Sequence, residues 1–167
     1  WKQISLPLLV LSIGLLFLVL LPGIGRQVNG SMRWLGFGPF GLQISEFVKL
    51  TMIVYLAGYL LRQEKQVQNQ IRGFLKPLMV LAIITFLLLR EPDFGAATVI
   101  LLTSLGMLFL AGVRIWQFVI LLVGVAVILV ILAISSPYRL ARLTTFLNPW
   151  ANQFDSGYQL TQSLIAF

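Results

Sequence analysis

Apolar residues in this chain come in long unbroken runs, not in the alternation of a surface strand or the one-sided stripe of a soluble helix. Five such runs, at residues 4–21, 44–61, 74–89, 94–113 and 118–134, carry few charges or none. A helix needs ~20 apolar residues to cross ~30 Å of hydrocarbon, so the pattern predicts five membrane spans. Pro7 and Gly14 fall inside the first run, where membrane helices tolerate them. Between the runs, 22–30 (PGIGRQVNG) has the glycines, proline and asparagine of a loop. Segment 62–76 (RQEKQVQNQIRGFLK) is the most polar stretch and is expected to be a solvated loop. Residues 90–95 and 113–117 are short enough to be tight turns. Past the fifth run, 135–167 turns mixed polar and aromatic, as an extramembrane loop would be. Within it, 138–147 predicts an amphipathic helix with Arg139 and Arg142 on one face and Leu140, Leu143 and Leu147 on another. The last eleven residues resemble the opening of another surface or re-entrant helix, too short for a span.

Composition agrees with a polytopic, all-α membrane protein. Hydrophobic residues make up 59% of the chain and charged ones 10%, and the mean hydropathy is +0.95, which excludes an ordinary soluble domain. The 167 residues contain no cysteine and no histidine. Disulfides, thiolate nucleophiles, histidine acid/base catalysis and the usual zinc sites are thereby excluded within them. The net charge of +7 is spread over separate loops with no long basic run, which argues against nucleic acid and for anionic or phosphorylated lipid. Segment 62–76 holds Arg62, Lys65, Arg72 and Lys76 against Glu64 alone, so it is expected on the cytoplasmic side. The wider count is six basic residues inside against five outside, and the outer arginines then need another reason to be there. The chain opens at Trp1 and stops in the apolar run LIAF, so a piece of a longer protein is expected.

The candidate chemistry gathers at 33–50 (RWLGFGPFGLQISEFVKL), where a glycine-rich stretch runs into an apolar segment carrying Glu46 and Lys49. Charges at the start of a span are costly and mark a polar pathway or a substrate site. Three apart on a helix, the two share a face and can partly neutralise each other. They are read either as a structural pair locking two helices or as substrate-facing groups. Arg33 favours the second reading, since a guanidinium can grip phosphate bidentately, and the indole of neighbouring Trp34 suits a membrane interface. Asp93, after Pro92, is expected first to cap the following helix. Residue types alone thus bring Arg33, Glu46, Lys49, Asp93, Arg139 and Arg142 to one leaflet face, where they suit an anionic membrane-embedded ligand.

Taken in order, Arg33-Trp34, Gln43-Ile44-Ser45-Glu46 leading to Lys49, Pro92-Asp93-Phe94-Gly95, Asn148-Pro149-Trp150, and Ser156-Gly157-Tyr158-Gln159 with Gln162-Ser163 resemble the SEDS family (shape, elongation, division and sporulation). The 72–77 stretch and the NPW and GYQLTQS motifs are closer to its cell-division branch than to its elongation branch. Ile44 stands where the family commonly has proline, and Arg90-Glu91 where it has an apolar residue and glutamine. The resemblance implies a ten-span inner-membrane glycosyltransferase at the division septum that polymerises lipid II on the outer leaflet. This chain would supply the third to seventh spans and the start of the large outer loop. It implies a class B penicillin-binding protein and other divisome membrane proteins as partners, and no nucleic acid. The family's proposed catalytic aspartate lies beyond residue 167, so no catalytic residue is assigned here. Arg33, Lys49, Arg139 and Arg142 would meet the undecaprenyl pyrophosphate, with Trp34, Ser45, Glu46 and Asp93 supporting them. No metal ligand is assigned, although the chemistry leaves room for a divalent ion at the pyrophosphate. A lipid II flippase and a non-catalytic scaffold, docking through Ala57 and Gly58, are the alternatives.

Overall fold

A computed structural model describes residues 4–21, 25–28, 31–37, 40–137, 140, 150 and 158–166. The side chains of 26–28, 31–33, 37, 40 and 159 fall outside the description. The chain divides into two compact units, Trp1–Leu122 and Val123–Phe167. In the first, helix α1 (Ser5–Leu20) leads to three strands, β1 (Gly25–Val28), β2 (Ser31–Phe37) and β3 (Phe40–Gln43), and then to α2 (Ile44–Arg62), α3 (Glu64–Asn69), α4 (Ile71–Arg90) and α5 (Phe94–Leu110). Helix α6 (Ile115–Ile134) begins in the first unit and continues into the second, which also holds α7 (Tyr158–Ile165). The architecture is that of a helical polytopic membrane protein. Helices α2, α4 and α6, of 19, 20 and 20 residues, are each long and apolar enough to cross a membrane. At 16 and 17 residues, α1 and α5 are apolar but shorter, about 24–26 Å at 1.5 Å per residue.

The all-helical expectation needs one correction. Residues 25–28, 31–37 and 40–43, expected as loop, form a three-stranded antiparallel sheet in the order β1-β2-β3. Its backbone groups therefore bond across strands instead of to water. The register pairs Arg26 with Trp34 and then Gln27 with Met32, leaving Arg33 as an extra residue on β2. Such a bulge bends and twists its strand locally. On the other side Trp34 pairs with Gln43, and Leu35 with Leu42.

Segment 62–76 needs a second correction, because it is largely helical. Val67 of α3 is 1% exposed, and α4 begins at Ile71, three residues before the expected start. Pro77 explains a bond at this end. Lacking an N–H, it cannot bond the carbonyl of Gly73 four residues earlier, and the Tyr59 hydroxyl of α2 donates to that carbonyl at 2.8 Å. A Cβ on Gly73 would lie 2.5 Å from the backbone C and O of Gln66, so only glycine lets α3 and α4 approach this closely. At the end of α5, Gly112 adopts φ +73°. The N–H of Gly112 bonds Phe109 O and that of Val113 bonds Leu108 O, which closes the helix with a Schellman motif.

Packing follows the apolar stripes. The buried face of α1 is Ser5, Leu9, Ser12, Leu16 and Val19, a three-four spacing that lies against α2. Thr51 Oγ1 donates to Ser12 Oγ at 3.0 Å, and Ser12 Oγ to Leu9 O at 2.8 Å. A Cβ on Gly58 would come 3.5 Å from Ser5 Oγ. Ser12 meets Thr51 and Ser5 meets Gly58, so α1 and α2 run antiparallel. At the far end, Leu60 and Leu61 of α2 line one cavity with Met107 and Leu110 of α5. The C termini of α2 and α5 therefore lie together, and since the two helices pack against each other and α4 makes the return between them, both begin at the opposite end of the bundle.

Candidate functional site

The N termini of α2 and α5 carry most of the described candidate residues. In α2 the sheet runs straight into the helix. Gln43, the last strand residue, reaches over the first turn, and its Nε2 donates to Ser45 Oγ at 3.0 Å. Ser45 is fully buried and Ile44 beside it is too, so this turn is fixed from below by apolar packing and from above by the strand. One turn on, Lys49 Nζ lies 2.8 Å from both carboxylate oxygens of Glu46. Lys49 is 25% exposed and Glu46 61%. The pair sits within one helix, three residues apart, and joins no two helices. Its contribution to stability is that of a partly exposed pair, ~0.2–1 kcal/mol. What it does is aim the ammonium, which Glu46 holds from one side and leaves partly open on the other.

At the other helix start, Asp93 Oδ1 accepts the Ala96 N–H at 3.1 Å, and the Asp93 backbone carbonyl accepts from Ala97. Asp93 is thus the N-cap its position predicts. It is 3% exposed, and Glu91, at the close of α4, is 1% exposed. The turn therefore buries two carboxyl groups. Glu91 departs from the family pattern and is also an acid at the end of an apolar run, a signal for a functional residue that the pattern alone does not carry.

The sheet stands at the same end, since β3 feeds α2 directly. A Cβ on Gly41 would meet the Trp34 ring at 2.9 Å, so the indole covers the bare strand there, as aromatic residues do for strand glycines. Arg33 precedes it at the bulge of β2, and its side chain is not among those described. Arg139 and Arg142 lie outside the described residues, as does most of the expected amphipathic helix at 138–147. The structure therefore brings Trp34, Ser45, Glu46, Lys49 and Asp93 to one end and places the backbone of Arg33 there. Two parallel helix N termini also point their partial positive charge this way, which favours an anion. Among the described residues no group of three His, Cys, Asp or Glu side chains could hold a metal.

A family model for cell cycle proteins of the FtsW, RodA and SpoVE type matches residues 1–167. The probable peptidoglycan glycosyltransferase FtsW of Legionella pneumophila is 57% identical over 167 residues, covering 100% of this chain and 42% of that protein. Its counterpart in Coxiella burnetii is 59% identical, covering 100% and 45%. The chain thus spans less than half the length of these curated relatives. Among solved structures, the rod shape determining protein RodA of Thermus thermophilus matches with a TM-score of 0.63 at 29% identity, over 76% of this chain and 41% of that one. A chain from a peptidoglycan synthase complex that coordinates polymerization and crosslinking matches with a TM-score of 0.74 at 29% identity, over 99% and 48%. Matched by the family model from its first residue to its last, the chain belongs to the FtsW, RodA and SpoVE family of cell cycle proteins.

Proposed function

We propose that the full-length protein is a peptidoglycan glycosyltransferase that polymerises lipid II into glycan strands, working at the division septum in the bacterial inner membrane. The observation that carries this reading is the geometry of Lys49, an ammonium aimed by Glu46 at the end where α2 and α5 both begin. In the reaction the 4-hydroxyl oxygen of one lipid II bonds to the anomeric carbon of the growing chain. The bond from that carbon to the pyrophosphate oxygen breaks, and undecaprenyl pyrophosphate leaves. The hydroxyl proton goes to a base that we assign to none of the carboxylates in these 167 residues. Charge builds on the leaving oxygen, so a preset cation accelerates the step more than one that must move into place. Lys49 would take that role together with Arg33, Arg139 and Arg142, while Ser45 and Asp93 fix the helix starts and Trp34 stiffens the hairpin beside them. A divalent cation at the pyrophosphate would supply further neutralisation of the leaving group there, and no protein ligand for it is assigned among the described residues. Support also comes from the names of the FtsW relatives and of the synthase complex. By the same analogy the partner is a class B penicillin-binding protein within the divisome.

The test is lipid II polymerisation by the full-length protein with its crosslinking partner. Lys49→Ala is expected to lower glycan synthesis by at least ~100-fold, the loss typical of one preset donor to a developing oxyanion, with the thermal midpoint hardly changed. Normal polymer from this variant would overturn the role of Lys49. Translocation of lipid II across vesicles by a wild-type protein that makes no polymer would replace the transferase with a flippase.

A further inference from the structure

The two helices that begin at the candidate site are started in different ways. Asp93 caps α5 in the ordinary manner, its carboxylate accepting the Ala96 N–H. Gln43 stands at the same position before α2, but its side chain makes no capping bond. The first-turn N–H groups of α2, which find no acceptor inside a helix, therefore receive none from the cap residue. The Gln43 carboxamide instead donates to Ser45 Oγ at 3.0 Å, from a residue whose backbone is paired with Trp34 of β2. It thus clamps the first turn of α2 to the sheet. Ile44 and Ser45 are fully buried and are held by packing as well. Glu46, in the same turn, is 61% exposed and has no such hold. Its place depends on the backbone of that turn, and the aim of Lys49 depends on Glu46, 2.8 Å away.

We propose that Gln43 is a positioning residue for Lys49, acting by keeping the first turn of α2 wound so that Glu46 stays against the ammonium. Its effect on rate rests on the transferase reading, whereas the clamp itself concerns α2 alone. Helix ends fray where their orphan groups go unsatisfied. When this turn unwinds Glu46 leaves with it, and Lys49, a point charge on a flexible four-carbon stem, loses its fixed aim. A cation that must be re-aimed at each transfer stabilises the leaving oxygen less than a preset one. Because Gln43 works through the helix and not on the substrate, its chemistry is replaceable. Serine is a favoured N-cap and would secure the same turn by a different bond, to a backbone N–H of Ser45 or Glu46.

The experiment takes the full-length protein with its crosslinking partner and measures two things, amide hydrogen exchange across residues 44–48 and the kcat and KM of lipid II polymerisation. Gln43→Ala is expected to speed exchange of the first-turn amides. It should also lower kcat by up to about tenfold, what one neutral hydrogen bond can hold, with KM unchanged because the leaving-group charge exists only in the transition state. Gln43→Ser should restore slow exchange and most of kcat, which replacement of a side chain that touches lipid II would not do. In a Lys49→Ala background, Gln43→Ala should cost nothing more. Unchanged exchange in Gln43→Ala, no recovery by Gln43→Ser, or an equal loss of kcat in the Lys49→Ala background would each overturn the proposal. A wild type that makes no polymer would instead fell the transferase reading, and the exchange measurement would still decide the clamp.

Discussion

Single residues here are constrained by what a methyl group would touch. A Cβ on Gly73 would be driven to 2.5 Å from backbone atoms of Gln66 that belong to a packed helix and cannot swing aside. Gly14, in the middle of α1, would meet nothing within 4 Å. Both are helical glycines, and the propensity term alone favours alanine by ~1 kcal/mol at either. Packing reverses the sign at one of them. Gly73→Ala is expected to destabilise by about 1–3 kcal/mol, as overpacking does, whereas Gly14→Ala should be neutral or mildly stabilising. Thermal unfolding of the detergent-solubilised protein reads both, and equal midpoints for the two variants would show that α3 is not held against α4 as described. The same kind of accounting bears on the Glu46 and Lys49 pair. Their contact at 2.8 Å is short, but it is partly exposed and lies within one helix, so its value to folding is small. A large effect of Lys49→Ala on activity could not then be passed off as unfolding.

Among the elements, α2, α3 and α4 are tied by a relay that begins with a missing hydrogen. Pro77 removes the donor for Gly73 O, and Tyr59 replaces it at 2.8 Å. Tyr59→Phe should cost ~1–3 kcal/mol because it strands a buried carbonyl. Adding Pro77→Ala restores an N–H in the right place and should recover most of that loss. Additive effects of the two substitutions in thermal unfolding would refute the relay. The proline, the glycine and the tyrosine were all plain in the sequence, but their meeting depends on two helices folding back on each other. Long apolar runs are more legible near a membrane, and three of the five expected spans form helices long and apolar enough to cross one, α2 from Ile44 among them. The sheet was not read, although its signals were present. Asn29-Gly30 separates Val28 from Ser31 by two residues, the strongest short signal for a hairpin, and two residues also separate β2 from β3. Flanking strands rich in glycine and polar residues, without clear alternation, made the stretch look like loop. Helix α3 was hidden likewise by polarity, since one buried residue, Val67, anchors its six. Of the candidate site, Asp93 as a cap and Glu46 beside Lys49 follow from local spacing alone. The union of α2 and α5 at one end does not.

At the scale of the molecule, the parallel course of α2 and α5 separates two chemistries by the length of a helix. One end has Lys49, the buried carboxyls of Glu91 and Asp93, and the sheet; the other has Glu64, Arg114 and the basic residues of 62–76. Which end faces the cytoplasm decides whether the first can meet lipid II on the outer leaflet. Counting basic residues barely decides it, at six against five. Arg114, already one of those six, bonds to α3 carbonyls and so stays with the basic segment, which leaves the count as it was. Arg26 and Arg33, expected outside, sit on strands of the sheet beside the candidate site, where the anionic substrate proposed above would supply a reason for cations. Positive residues near span ends orient a membrane protein through short connections, and 62–76, though largely helical, holds the connection between α2 and α4. Since the 167 residues contain no cysteine, single cysteines introduced into a cysteine-free full-length protein can report the orientation directly. Leu42→Cys, on half-exposed β3, should react with a membrane-impermeant maleimide added outside intact spheroplasts. Gln66→Cys, on exposed α3, should react only after permeabilisation. The reverse pattern would place Lys49 and the sheet in the cytoplasm, away from the leaflet where the glycan strand is built, and the transferase reading would fall with it.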